Sequence, residues 1–339
     1  MKVGPSESKA CVQSRISIAM AVYNGERFIQ QQLESFLRQT RLPDELVVSD
    51  DASTDRSVEI VREFAAHAPF PVKILVNEQN LGCSKNFERA FCECTGDIIF
   101  LSDWDDVWYP DKLLVMEKAF AQSPKAGVAI CGWQTVDENL QPIAGSSNVF
   151  LRKLARALGA TSEALADGAT FNHWLPPPGG GAFRARFKPL ILPFPDAPEF
   201  RRGGHDYFLL WAIVGSGAAG VLLIPDNLYA YRRHAAAQWH YGEHRSWVGA
   251  MRVRLTAPNQ RRLFLLKPLV ARLASASATE FCVNPTLRAE VLDHWRARCS
   301  LPRSRAARVP LILKELATLR YHRFSSGFRT AVKDLLFDE

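Results

Sequence analysis

Three aspartates fall within four positions at Asp103, Asp105 and Asp106, directly after the apolar run DIIFL and between Trp104 and Trp108. Like charges this close repel. The chain either neutralises them with a cation or leaves them in a solvated turn, where aspartate is common. An Asp-x-Asp at a strand end suits Mg2+ or Mn2+, hard cations that prefer carboxylate oxygen. Two carboxylates leave the coordination sphere incomplete, and substrate phosphates would complete it, so a nucleoside diphosphate is the natural partner. A second acidic pair, Asp50 and Asp51, also follows an apolar run, which favours the metal reading over the plain turn.

The surrounding pattern tells what positions these groups. ISIAMAV (16–22), LVVS (46–49), VKILV (72–76), DIIFL (97–101) and GVAICGW (127–133) are short apolar runs without helical spacing, consistent with buried strands. Between them, Phe28, Ile29, Leu33, Phe36 and Leu37 recur as one face of a helix, and Val58, Val61 and Phe64 as another that Asp55 can cap. A further helix is expected from about Ser84 to Cys94, and one from Pro110 to about Ala121. Strands alternating with helices imply an α/β fold with a mainly parallel sheet flanked by helices. Ligands of such sheets bind at the loops after strand C-termini. YNG (23–25), DDASTD (50–55) and SDWDD (102–106) all follow strands and should meet on one edge.

The segments AVYNGERFIQQQLESFLRQT, ELVVSDDASTD, NEQNLGCSKNFERAF and GDIIFLSDWDDVWYPDKL resemble, in order and spacing, the N-terminal half of family 2 glycosyltransferases, inverting enzymes of the GT-A (Rossmann-like) fold. The resemblance covers roughly residues 14–140. It is closest to bacterial rhamnosyltransferases of surface polysaccharide synthesis, whose cluster usually carries Gln where this chain has Trp104. By that resemblance, Asp50 and Asp51 contact the donor's base and ribose; a carboxylate can accept the imide N–H of uracil or thymine. The backbone of Tyr23, Asn24 and Gly25 approaches the nucleotide. Asp103 lies near the ribose beside Trp104, and Asp105 is the main metal ligand. Asp106 either orients its neighbours or is structural.

The second half matches the family more loosely. The resemblance implies a general base on an acidic residue that begins a helix, and GGHDYFLLWAI (203–213) supplies His205 and Asp206 there. The acceptor hydroxyl must lose its proton as it attacks the anomeric carbon, and Asp206 is the expected base; as a plain helix N-cap it would serve structure as well. PPPGGGAFRARF (176–187) is either a flexible connection or the family's Gly-rich acceptor loop, with Gly180 and Gly181 leaving room for a sugar beside His205. YRRH (231–234) resembles a Tyr-Arg-x-His motif near the diphosphate. His234 is then a third metal ligand or a phosphate contact, or it simply packs, and Arg232 and Arg233 can hold the leaving diphosphate.

With 339 residues the chain can bury a sizeable core. No apolar run approaches the roughly 18–20 residues that span a bilayer. The start MKVGPSESKACVQSR lacks a signal peptide's apolar core and reads as a disordered leader, residues 1–14. Seven scattered cysteines without CxxC pairs point to a reducing cytoplasm. The net charge of +7 is uneven: residues 241–339 hold 18 Lys and Arg against 8 Asp and Glu. The division expected is a glycosyltransferase domain at 15–240 (nucleotide-sugar half 15–135, acceptor half 136–240) and a basic helical region at 241–339, broken at Pro268, Pro285, Pro302 and Pro310.

The basic region is either a solvated surface or a contact with an anionic membrane leaflet, since acceptors in the family are often polyprenyl-pyrophosphate-linked saccharides; RVPLILKELATLRYHRFSSGF (308–328) mixes apolar and basic residues as an interfacial segment would. The expected location is cytoplasmic, peripheral on the inner membrane face. No nucleic-acid partner is expected. Two rival readings are a sugar-phosphate nucleotidyltransferase, for which YNGER is a poor phosphate loop, and a non-catalytic carbohydrate- or nucleic-acid-binding protein, which leaves the carboxylates unexplained.

Overall fold

The computed structural model describes residues 13–143, 180–201, 203–235, 260–275, 279–325 and 327–336. The run ISIAMAV forms β1 (Ile16–Val22), buried along its whole length, as a strand must be when helices cover both faces of a sheet. β2 (Glu45–Asp50), β3 (Val72–Val76) and β4 (Ile98–Asp103) lie parallel to it in the order β3-β2-β1-β4. Helices α1 (Ile29–Leu37), α2 (Ser57–Ala65) and α3 (Cys83–Glu93) lie on the crossovers that parallel neighbours require. Val22 pairs with Asp50 and Ala21 with Asp103, so the acidic strand ends sit side by side.

β5 (Val107–Trp108), α4 (Lys112–Gln122), β6 (Ala126–Val136), β7 (Gly181–Arg184) and β8 (Gly220–Arg232) extend the sheet to eight strands in the order β3-β2-β1-β4-β7-β6-β8-β5. β7 is antiparallel to both its neighbours, β4 and β6. The expected loop at 176–183 is therefore corrected at its end: Gly181, Ala182 and Phe183 belong to a central strand, where Ala182 and Phe183 are buried and their backbone is paired on both sides. Pro110 does not open α4, which starts two residues later at Lys112. Asp55 sits before α2 and accepts from both the N–H and the hydroxyl of Ser57. Residues 144–179, the leader up to residue 12 and the basic stretch 245–259 lie outside the described residues.

The helix His205–Gly215 is buried on nearly every side, which places it centrally rather than on the surface. It packs on the helices Gln260–Ala274 and Pro285–Cys299, with Trp211 edge-on to Trp295 at 5.3 Å. Leu266, Leu269, Leu273, Val291 and Trp295 join one core with the sheet. Ile312, Tyr321 and Ala331 form a separate small cluster among the helices Arg305–Ala317, Arg320–Phe324 and Phe328–Leu336. Pro268 and Pro310 lie inside helices rather than breaking them; Pro310 is exposed, so water can bond the carbonyl its missing N–H leaves behind. No helix among the described residues is long and apolar enough to cross a membrane.

Candidate active site

The loops after β1 and β2 are tied together by side chains that the motif STDRS provides. Ser53 Oγ accepts from the N–H of Asn24 at 2.9 Å, Ser57 Oγ from that of Gly25 at 2.7 Å, and Asp55 Oδ2 from that of Glu26 at 2.9 Å. In return Asn24 Oδ1 accepts from the N–H of Thr54 and Glu26 Oε2 from that of Arg56. Asn24 and Ala52 take left-handed backbone conformations at the two turns, a strain that collects at functional loops. Gly25 has no room for a side chain, because a Cβ would stand 2.8 Å from Trp104.

Asp50 and Asp51, equivalent in the sequence, differ in the fold. Asp51 uses both oxygens internally: Oδ1 accepts from Asn77 Nδ2 and the N–H of Leu81, and Oδ2 from the N–H of Gly82. It thereby fixes the entry to α3. Asp50 Oδ1 accepts from the N–H of Ser53, while its buried Oδ2 has no hydrogen-bond partner among the described residues. Of the two, Asp50 keeps an acceptor for a ligand.

At the end of β4 the aspartates meet the end of β8. His234 Nε2 lies 2.8 Å from Asp105 Oδ2. Arg232 donates from Nε to the Asp105 carbonyl at 2.8 Å, also reaches Gln31 and the Glu138 carbonyl, and stacks over Phe28. Its guanidinium is thus spent on positioning Asp105. The N–H of Arg233 bonds the Val136 carbonyl, extending β8 toward His234. Trp104 stacks on Phe28 and lies 5.6 Å from His234, closing a small aromatic wall. Asp106 is fully buried and accepts from the N–H of Arg232. Burial, then Asp105 and Asp103, hold its carboxyl well above the usual range. The buried ammonium of Lys112 sits over the rings of Trp108 and Tyr229, and burial pulls it down to about 8.

Burial and then the charges of Asp105 and Asp206 likewise raise Asp103, so Asp206, distant in sequence, shares this pocket. Gly203 and Gly204, both with positive φ, turn the chain into its helix. Asp206 lies in the first turn beyond the cap at Gly204, so it is not the cap itself. Its Oδ1 accepts from the N–H of Tyr207 at 2.7 Å, and burial pushes its carboxyl up to about 6. His205 Nδ1 lies 3.4 Å from Ser84 Oγ. It packs on Phe87 at 4.3 Å, is buried, and burial pushes it down to about 3, which keeps it neutral. Gly180 faces Tyr229, and Gly181 pairs with Ile130 in the sheet.

Sequence reasoning missed Cys83, whose thiol is raised by burial and then by Asp103, Asp206, Asp51 and Asp105, which marks it as the neighbour of all four carboxylates. It also missed Asn86, which donates to the carbonyls of Val22 and Ser49 and so ties the ends of β1 and β2. Both lie in the quoted stretch NEQNLGCSKNFERAF, but nothing in their types singles them out. The donors present fit a hard divalent cation: Asp105 and His234 already stand together, and Asp103 is crowded by like charge that a cation would relieve. Among the described residues no three His, Cys, Asp or Glu side chains are grouped so as to hold a metal ion together.

Residues 17–171 match the model of glycosyl transferase family 2. An uncharacterized glycosyltransferase of Nostoc is 30% identical over 223 residues, 66% of this chain and 66% of that protein. The chain belongs to glycosyl transferase family 2. Among other members, a dTDP-rhamnosyl transferase of Shigella flexneri is 39% identical over 28% of this chain and 34% of its own length. A UDP-Glc:alpha-D-GlcNAc-diphosphoundecaprenol beta-1,3-glucosyltransferase of Escherichia coli is 36% identical over 29% of this chain and 38% of its own. The chain thus spans about two thirds of the first of these relatives and little more than a third of the others. Two solved structures share the fold. Staphylococcus aureus TarS 1–349 in complex with UDP has a TM-score of 0.56 at 14% identity, covering 94% of this chain and 90% of that one. The mannosyltransferase PcManGT from Pyrobaculum calidifontis, in complex with GDP-Man and Mn2+, has a TM-score of 0.53 at 18% identity over 94% and 78%. The family's GT-A sheet is the fold found here.

Proposed function

We propose that the chain is an inverting glycosyltransferase. It moves a sugar from dTDP-rhamnose or a UDP-sugar to a saccharide or a polyprenyl-pyrophosphate-linked saccharide in bacterial surface polysaccharide synthesis, at the cytoplasmic face of the membrane. The observation that carries this reading is the Asp105–His234 pair at the strand ends, beside an Asp103 carboxyl that is raised by burial and then by the charges of Asp105 and Asp206. Residues 15–135 hold the donor and 136–240 the acceptor side, with 241–339 as the basic helical region.

In this reading Asp50 offers its free oxygen to the pyrimidine imide, and the backbone at Tyr23, Asn24 and Gly25 lies along the nucleotide. Asp103, Trp104 and Arg233 line the ribose and diphosphate; Gly180, Gly181 and His205 lie on the acceptor side, His205 as packing behind Asp206. Asp105 and His234, with Asp103 beside them, would hold Mg2+ or Mn2+, which would supply positive charge to the departing diphosphate. Asp206 takes the proton of the acceptor hydroxyl as its oxygen bonds the anomeric carbon and the carbon–oxygen bond to the diphosphate breaks. A carboxylate raised to about 6 is a better base than an ordinary one and is still ionised at neutral pH. Arg232 keeps Asp105 in place from behind.

The test is donor binding across dTDP-rhamnose, UDP-glucose, UDP-galactose, UDP-N-acetylglucosamine and GDP-mannose, with Mg2+ or Mn2+, for wild type and Asp105→Ala. Metal-dependent binding of one donor, lost in the variant, is expected. Folded protein that binds no donor with either metal overturns the reading. Transfer of a nucleoside monophosphate to a sugar phosphate would make it a nucleotidyltransferase instead.

A further inference from the structure

The helix Arg305–Ala317 is turned inside out. Its buried positions are Arg308, Ile312 and Glu315, spaced as one helical face, and two of the three are charged. Val309, Leu311 and Leu313 stand in water on the remaining circumference, Leu313 with 58% of its surface exposed. The buried charges have fixed duties. Arg308 donates to the carbonyls of Pro302, Arg303 and Asp334. Glu315 lies 2.7 Å from His294 Nδ1 and also meets Arg320. An ordinary surface helix places its polar and apolar sides the other way round. Leu319 and Phe328, 58% and 65% exposed, follow on the next elements. Of eleven large apolar side chains exposed among the described residues, six fall between 309 and 336, so the exposure is concentrated at this end.

The charge here is one-sided as well. Between 301 and 336 the only acidic residues are Glu315 and Asp334, and both are buried. Arg303, Arg305 and Lys314 are exposed. Arg320 and Arg323 pair with Asp293 and Glu290 of the helix before. What these last helices offer to water is therefore apolar surface and positive charge. A second copy of this chain would set like charges against each other across such a face. An anionic bilayer accepts both components: apolar side chains enter the acyl boundary, and cations lie among headgroup phosphates.

We infer that the exposed side of the helix Arg305–Ala317 docks the protein on an anionic lipid surface, with Val309 and Leu313 on one flank, Leu311 on the other and Lys314 between them; this deepens the membrane-face location proposed above. Docking and sugar transfer are separable, because vesicles without nucleotide or acceptor report the first alone. The test is co-flotation of the full chain with vesicles of phosphatidylcholine, with and without phosphatidylglycerol. Three exposed cations predict binding to the anionic vesicles stronger by on the order of a hundredfold, largely lost at about 1 M salt. Arg305→Glu with Lys314→Glu should abolish that preference. Leu311→Gln with Leu313→Gln should weaken binding at least tenfold while circular dichroism and thermal midpoint stay as in wild type, since both side chains already face water. Equal binding to neutral and anionic vesicles, or no binding, overturns the inference. A dimer in sedimentation velocity that the Leu311→Gln, Leu313→Gln variant dissolves also overturns it, because another copy would then cover this face.

Discussion

Two regions of the molecule bury charge, and they treat it in opposite ways. In the C-terminal helices Arg298 pairs with Asp334 at 2.7 Å, Tyr321 donates to the same carboxylate, and Ser325 and Glu315 meet His294 at 2.8 and 2.7 Å. Every charge in that cluster faces an opposite charge or a hydrogen-bonding group. At the sheet edge Asp103, Asp105 and Asp106 crowd one another, and Asp103 also feels Asp206. Pairing of the first kind fixes the packing of helices. Repulsion of the second kind, offset only in part by His234 and Lys112, is tolerated where a positively charged partner arrives from outside.

The sharpest way to break this contrast is at Asp206. Asp206→Asn is expected to cut turnover by roughly 10^2 to 10^4-fold with donor affinity unchanged; an equal loss of donor affinity would move the residue from base to binding group. The same residue sets a pH dependence. Because burial raises its proton affinity, the base is lost as pH falls through about 6, and turnover should drop tenfold per unit below that value. An acid limb near pH 4 would mean that Asp206 is an ordinary solvated carboxylate. On the paired side, Arg298→Met strands the buried Asp334 and should cost about 3–5 kcal/mol in urea denaturation, while donor binding by the folded protein is retained. The smallest effect separates the two neighbours of the acidic pair. Asp51→Asn should cost about 1–3 kcal/mol of stability, whereas Asp50→Asn should weaken nucleotide binding and leave the unfolding midpoint nearly unchanged.

The parallel half was legible because strands covered on both faces must be largely apolar, as 16–22, 46–48 and 98–101 are; 72–76 is the edge strand, with Lys73 and Val76 exposed, and was legible from its remaining apolar residues. The loops that meet at their ends followed from topology, and the meeting of Asp103 with Asp105 followed with them. β7 was not legible: proline and glycine on its N-terminal side carry a turn signal, and only insertion between β4 and β6 makes Gly181–Arg184 a strand. Asp50 and Asp51 are the same letter twice, and only the backbone of Leu81 and Gly82 tells them apart. The His294 and Arg298 network joins residues up to 36 positions apart whose types alone suggest a surface. The burial of Arg308 and Glu315 was not legible for the same reason, since charged residues on a helix are ordinarily the outside.

The place of β7 also has a meaning in time. β4 offers the backbone of Ile98, Ile99 and Phe100 to a partner that does not exist until Gly181–Arg184 has been made. A chain leaving the ribosome therefore holds a nearly finished parallel sheet with a raw apolar edge, the kind that pairs with the wrong strand. At about 5–20 residues per second, the stretch from β4 to β7 takes roughly 4–16 s to synthesise. That interval is when the nascent protein most needs a chaperone, and it ends when one four-residue strand slides into the gap.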